Sequence, residues 1–302
     1  MSSKSANATP NAPVVERMDQ LVGNTPLVRL KRTGAPSGAT VYVKMEQFNP
    51  SGSLRDRYVA EILERGIASG NVVEGDTVAV AGLDDSAVAA ALIGDVLGLK
   101  TRVFAPKNAS RRLFDLVVRY GATIEWTSDE GGLAEAIEKA AGWARQASDR
   151  LYVDSYRREA VRDAYAAMAS EVLTALDGAP LGAFITSIST GGTFRHVARE
   201  LRESYPSVRM GGAILGDLEL PAFKEHRFNE LARFSMREAF ALRDELAASE
   251  GILLGPKGAA CVGLALQLQK ELGPDDVIVA LNPDSGQRYL GWEQELIDPS
   301  EN

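Results

Sequence analysis

The chain has 302 residues, 45% hydrophobic and 25% charged, with a net charge of −8. That is enough apolar material for a large core divided between two lobes. The acidic balance, with no basic cluster or aromatic platform, argues against a nucleic-acid partner, and no apolar run is long enough to span a membrane.

Residues 1–13 lack a hydrophobic signal core and read as a disordered tail on a cytoplasmic protein. Val41–Glu46 reads as a strand, and the stretch Asn49-Pro50-Ser51-Gly52-Ser53-Leu54-Arg55-Asp56-Arg57 turns it into a helix beginning near Tyr58. Gly and Ser at a strand-to-helix turn set backbone N–H groups over a cleft. Thr77–Ala81 is a strand, and Asp85-Ser86-Ala87 opens a small-residue helix that Gly98 stops. Thr101–Ala105 is a strand, Arg111–Tyr120 a helix capped by Ser110, Ala122–Trp126 a strand and Leu133–Ala147 a helix. Together these pieces make a compact lobe of ordinary domain size.

Leu151-Tyr152-Val153 starts a second series: a helix over Arg158–Leu176, a strand over Ala183–Ile188 and a helix over Phe194–Glu203. A strand over Arg209–Leu215, helices over Glu238–Ser249 and Ala259–Leu272, and a strand over Val277–Leu281 complete it. Gly216–Ser235 has mixed charges and no clear period. The alternation predicts an α/β protein with mainly parallel sheets. The single cysteine, Cys261, lies in an Ala-rich helical run and reads as a small buried apolar residue, so no disulfide is expected. His196 and His226 have no Cys or His at ligand spacing, so no metal site is expected.

Five stretches carry a family resemblance. Leu21–Leu30 contains G-N-T-P-L, and Lys44–Pro50 runs into the Asn49–Arg57 turn. Ser189-Thr190-Gly191-Gly192-Thr193 matches a G-T-G-G-T cup in four of five positions. Glu250–Gly255 and Pro283-Asp284-Ser285-Gly286-Gln287-Arg288-Tyr289-Leu290 follow in order. From about Asp19 to Leu290 the chain resembles the cysteine synthase and cystathionine β-synthase family of fold-type II pyridoxal-phosphate (PLP) enzymes. The resemblance implies a tryptophan synthase β-like architecture of two open, twisted, mainly parallel sheets flanked by helices. It implies a smaller lobe over 47–150 and a larger one from 14–46 plus 151–302, with PLP between them, and a homodimer. It also implies that residues 189–193 and Ser285 hold the cofactor.

The departures from the family pattern fall around the cofactor ring and the substrate. The lysine that holds PLP as a Schiff base is replaced by Arg55, whose guanidinium stays protonated and is a poor nucleophile. The substrate loop, T-S-G-N-T-G in the family, reads Gly82-Leu83-Asp84-Asp85-Ser86-Ala87, and two carboxylates there oppose a substrate carboxylate. The family's Q-F-x-N-P-x-N segment corresponds to Ser155-Tyr156-Arg157-Arg158, its G-I-G-x-G loop has no counterpart between Gly216 and Phe234, and its S-S-G becomes Pro256-Lys257-Gly258.

Two functions are weighed on these grounds. The first is a non-catalytic protein with no catalytic residue: a binding or regulatory subunit, paired with itself or with an active paralogue, that takes a protein or small-molecule ligand in the old cleft. In that reading the cofactor is lost, with residual binding of phosphate, another anion or non-covalent PLP. Arg55 pairs with Asp84 or Asp85, whose other expected role is to cap the helix that follows. Restoring lysine at position 55 is then expected to leave the chain inactive, because both carboxylates remain. The alternative is a PLP-dependent β-replacement or β-elimination enzyme that uses a relocated lysine, with Lys257 as the substitute amine. Lys44 matches a residue common at its position in the family and adds no new indication.

Overall fold

The computed structural model describes residues 14–155, 158–188, 191–216 and 228–297. The expected tail, Tyr156 and Arg157, Ser189 and Thr190, and residues 217–227 lie outside the described residues.

Two sheets organise the chain. The larger has six strands: β1 (Leu27–Arg29), β2 (Thr40–Met45), β7 (Leu181–Ser187), β8 (Arg209–Leu215), β9 (Glu230–Phe234) and β10 (Val277–Asn282), in the order β1-β2-β10-β7-β8-β9. Only the β1–β2 pair is antiparallel. The smaller sheet is wholly parallel: β3 (Thr77–Ala81), β4 (Lys100–Pro106), β5 (Thr123–Thr127) and β6 (Arg150–Tyr152), in the order β5-β4-β3-β6. Helices α1 (Arg55–Ala68), α2 (Asp85–Val96), α3 (Phe114–Arg119), α4 (Gly132–Ala144), α5 (Arg158–Leu176), α6 (Gly192–Ser204), α7 (Met236–Glu250), α8 (Pro256–Leu268) and α9 (Glu293–Ile297) flank the sheets. Parallel strands covered on both faces read as near-continuous apolar runs, and β10 is buried along its whole length. No helix among the described residues is long and apolar enough to cross a membrane.

Four details differ from the sequence reading. Residues Leu151 and Tyr152 do not open the second series: β6 pairs with β3 through Thr77↔Arg150, Val78↔Leu151 and Ala79↔Tyr152. Parallel pairing joins strands far apart in sequence, so local pattern cannot assign β6 to its sheet. The expected Arg111–Tyr120 helix divides into a short 3₁₀ turn over Arg111–Leu113 and then α3. Helix α8 starts at Pro256 rather than Ala259, since proline is favoured at a first helical position. Edge strand β9 lies in the stretch without a period, alternating between half-buried and exposed residues.

Helix α8 is largely apolar and packs beneath the six-stranded sheet, with Cys261 fully buried in that core. A second core gathers α1, α2 and α5 with strands of both sheets. The loops after β2, β3, β7 and β10 all leave carboxyl ends of strands, which is where open α/β sheets place their ligands.

Candidate active-site cleft

The Gly-Asn-Thr-Pro and Met-Glu-Gln-Phe-Asn-Pro stretches build a buried ionic cluster beneath the cleft. Arg57 donates from Nε and Nη2 to Glu46 at 2.6 and 2.9 Å, and from Nη1 and Nη2 to Glu171 on α5 at 2.7 and 2.8 Å. Thr25 donates to Glu46 at 2.6 Å, Gly23 N to Asn49 Oδ1 at 2.8 Å, and Lys44 Nζ to Glu171 at 2.5 Å. Burial alone would raise the Glu171 carboxyl, yet Arg57 and Lys44 hold it down at about 2. Burial lowers Lys44, and its carboxylate neighbours oppose that shift. A buried cluster in which each charge has a partner fixes the loop that leads into α1. Lys44 is thereby committed to structure.

Above the cluster, Gly52 takes φ +87° and lets the chain turn sharply beside Arg288. Ser53 bridges to Asp284, and Leu54 N donates to the Pro283 carbonyl at 2.8 Å, which ties this loop to the end of β10. Arg55 follows as the first residue of α1. Its side chain lines a cavity of about 110 Å³ with Tyr58, Asp84, Ser86, Gly192 and Thr193, and Ser155 and Tyr165 complete the polar wall. The structure therefore brings three sequence-predicted groups to one place: position 55, the 82–86 loop and the start of α6. A roomier cavity of about 760 Å³, between residues 19–25, α1 and α5, borders none of them.

The expected pairing of Arg55 with Asp84 or Asp85 is not what forms. The Arg55 guanidinium sits over the Tyr58 ring, 5.8 Å from its centroid, and makes no ion pair among the described residues. Burial disfavours its charge, but the nearby Tyr58 and Tyr165 and the Asp84 and Asp85 carboxylates more than offset this, so it stays cationic. Asp84 is the N-cap of α2, accepting from Ser86 N at 2.8 Å and Ala87 N at 3.4 Å. Asp85 accepts from Arg288 Nη1, while Nη2 of the same guanidinium donates to the Ser51 carbonyl. Sequence separation hides that partner: Arg288 stands in a matched motif, yet nothing local links it to a loop at 85.

Two carboxylates therefore do not stand bare in the loop. One is bonded to helix amides and still presents a carboxylate to the cavity, while the other is paired with a guanidinium, so the repulsion expected from their sequence is reduced at Asp85 and not at Asp84. Gly82 takes φ +90°, Leu83 is buried, and Ser86 accepts from Tyr58 OH at 2.6 Å, so the loop is held from both ends.

Gly191 takes φ +78° as the N-cap of α6, and no acidic residue occupies that helix's first turn. The first amides of a helix this long have no partner within the helix and can receive an anion, and Gly191, Gly192 and Thr193 stand at that end. Ser189 and Thr190, the other predicted cup residues, are outside the described residues. Ser285 caps the 3₁₀ turn at Gly286–Tyr289, accepting from Gln287 N at 3.3 Å. Lys257 is half-buried in the first turn of α8, two residues after Gly255, whose amide donates to Asp284 O at 3.1 Å. Asp284 is buried and lifted to about 6 by burial and then Asp85, against Tyr289, Lys257 and Arg288; its Oδ1 has no partner. No cluster of metal-ligating side chains occurs among the described residues.

Comparison with known proteins supports the family resemblance. The sequence profile described as "Pyridoxal-phosphate dependent enzyme" matches residues 18–214. A protein of Bacillus subtilis named "Probable cysteine synthase" is 30% identical over 303 aligned positions, covering 93% of this chain and 97% of that protein. "Cysteine synthase B" of Escherichia coli is 29% identical, covering 90% and 94%. The crystal structure of O-ureido-L-serine synthase superposes with a TM-score of 0.85 at 25% identity, covering 95% of this chain and 97% of that one.

These likenesses correct two expectations. The reading as a non-catalytic binding subunit is overturned by these relatives, which are named as synthases. The expectation of no cofactor conflicts with a profile defined by PLP dependence. The described residues fit the phosphate end of that cofactor, since the α6 N-terminus and the unpaired Arg55 cation share one cavity. With a profile match over most of its length and a full-length relative at 30% identity, the chain belongs to the pyridoxal-phosphate-dependent enzyme family of the cysteine synthase kind.

Proposed function

We propose that this chain is a PLP-dependent enzyme that carries out β-replacement or β-elimination on an amino acid, as its cysteine synthase relatives are named for doing. The observation that carries the reading is the single cavity shared by Arg55, the Asp84–Ser86 loop and the N-terminus of α6. When bound, PLP supplies an electron sink at the substrate's α-carbon. The α6 amides and Thr193 would hold its phosphate, and Arg55 would add a fixed positive charge. Asp84 holds the Ser86 and Ala87 amides in place at the start of α2, next to where a substrate carboxylate docks. Arg288 neutralises Asp85, which leaves Asp84 as the carboxylate that docking meets in this loop.

Lys257, which does not itself line the Arg55 cavity, is our candidate for the amine that would join the coenzyme. Lys44 is bound into the Glu171 cluster, whereas Lys257 stands beside Asp284, whose backbone bridges to Ser53 two residues before Arg55. A homodimer in the cytoplasm completes the proposal.

The test is PLP-dependent turnover of O-acetylserine with sulfide, measured with and without added PLP and in Lys257→Ala. Turnover that requires PLP and falls by about a hundredfold or more in the variant supports the reading, that being the low end of what a positioned acid–base group contributes. No turnover with any O-acylated serine and no PLP uptake overturns it.

A further inference from the structure

Helix α6 carries Arg195, His196 and Arg199 on its first two turns, and α5 brings Arg162 alongside. Among the described residues these four side chains line a cavity of about 380 Å³, separate from the cavity of Arg55. Three guanidinium groups converge there on a chain whose net charge is −8. Arg195 and Arg199 are four apart on one helix, a like-charge spacing that disfavours the helix, and Arg195 stands near the N-terminus, where the macrodipole also disfavours a cation. Arg162 is paired with Asp163 at 2.7 Å, and Arg199 lies 3.6 Å from Glu203 and 4.0 Å from Glu200. Arg195 and His196 make no ion pair or side-chain hydrogen bond among the described residues. The three arginines are exposed, and an anion in the cavity would add to the carboxylate partners of Arg162 and Arg199 and give Arg195 one.

We propose that this cavity is a second anion site, built to take the phosphate group of a small phosphorylated metabolite. The guanidinium fork matches phosphate oxygens two at a time, and Arg195 has its donors free to do so. The volume exceeds what one phosphate fills and leaves room for a small organic body. His196 adds a response to pH. It is half-buried, and burial, then Arg195, Arg162 and Arg199, lower its pKa, with Asp163 of α5 opposing. It is therefore neutral at neutral pH in the free protein. A bound dianion reverses the local charge and raises it, so the complex holds more protons than the free protein. Affinity for an anion of fixed charge consequently rises as pH falls toward the free-state pKa of His196.

The experiment follows the His196 ring signal by NMR in the full chain, assigned with His196→Gln, during titration with sulfate, inorganic phosphate and adenosine monophosphate. The expected result is saturable binding that raises the His196 pKa by about one unit. Arg195→Ala combined with Arg199→Ala should weaken it by roughly tenfold or more, the worth of one charge-assisted hydrogen bond. Tighter binding of the monophosphate than of the inorganic anions identifies an ester ligand, and equal binding identifies free oxyanion as the source. An unmoved His196 pKa, or a shift that survives in the double variant, overturns the proposal. The readout needs no PLP, so its failure leaves the proposed reaction standing.

Discussion

Arg288 reaches from the 3₁₀ turn after β10 to Asp85 at the start of α2, and the same guanidinium holds the carbonyl of Ser51. One side chain thus clamps the loop before α1 to the loop before α2, and it is almost fully buried while doing so. Replacing Arg288 with Met leaves a carboxylate and a carbonyl without their donor. The expected cost is about 3–5 kcal/mol, as for one partner of a buried ion pair. Urea denaturation of Arg288→Met, Asp85→Asn and the double variant measures it, and the double variant should recover a large part of the loss.

Acid should unfold this protein partly through Glu171. Its carboxyl is held at about 2 against an ordinary value near 4.5, so the folded state binds its proton more weakly than the unfolded chain does. Its contribution is complete above the ordinary value and is lost as pH falls from there toward 2. It amounts to on the order of 3 kcal/mol. Glu171→Gln should flatten the stability profile over that window while lowering stability at neutral pH, as read from denaturant midpoints at a series of pH values.

Asp84 earns a smaller prediction. Its side chain caps α2, and Asp84→Ala should cost about 1 kcal/mol in thermal or urea unfolding. Asp84→Asn should cost less, since an amide oxygen caps as well. A loss of several kcal/mol would mean that Asp84 carries a buried ion pair after all.

Arg55→Lys separates the loop from the amine. From sequence alone this change is expected to fail, because Asp84 and Asp85 oppose the substrate. With Asp85 paired to Arg288 part of that obstacle is gone, while Asp84 still lines the cavity. With Lys257 as the amine and the positive charge at 55 retained, the expected outcome is PLP-dependent turnover within about tenfold of the parent chain, with the adduct still on Lys257. Steady-state kinetics of the variant beside the parent chain would show it.

Much of the fold was legible because its features are local. The apolar runs of β3 and β10, the stop at Gly98, and the opening of α2 by Asp85-Ser86-Ala87 declare themselves over a few residues. What escaped was set at a distance. The partner of β6 lies in β3, some seventy residues upstream in the registers of the small sheet. Arg288 rather than Arg55 pairs with Asp85 because the chain end folds back over Gly52, which no window of sequence reports. Helix α8 begins three residues before the expected Ala259, with Pro256 as its first helical residue. Tyr58 and Tyr165, which flank the Arg55 side chain, carry no motif and come together only through the packing of α1 on α5.

The most direct measurement is chemical. The purified chain is mixed with PLP, reduced with borohydride, digested and mapped by mass spectrometry. The account predicts a reduced pyridoxyl adduct on Lys257 and its disappearance in Lys257→Ala. An adduct on a different lysine, or none anywhere after saturation with PLP, would contradict it.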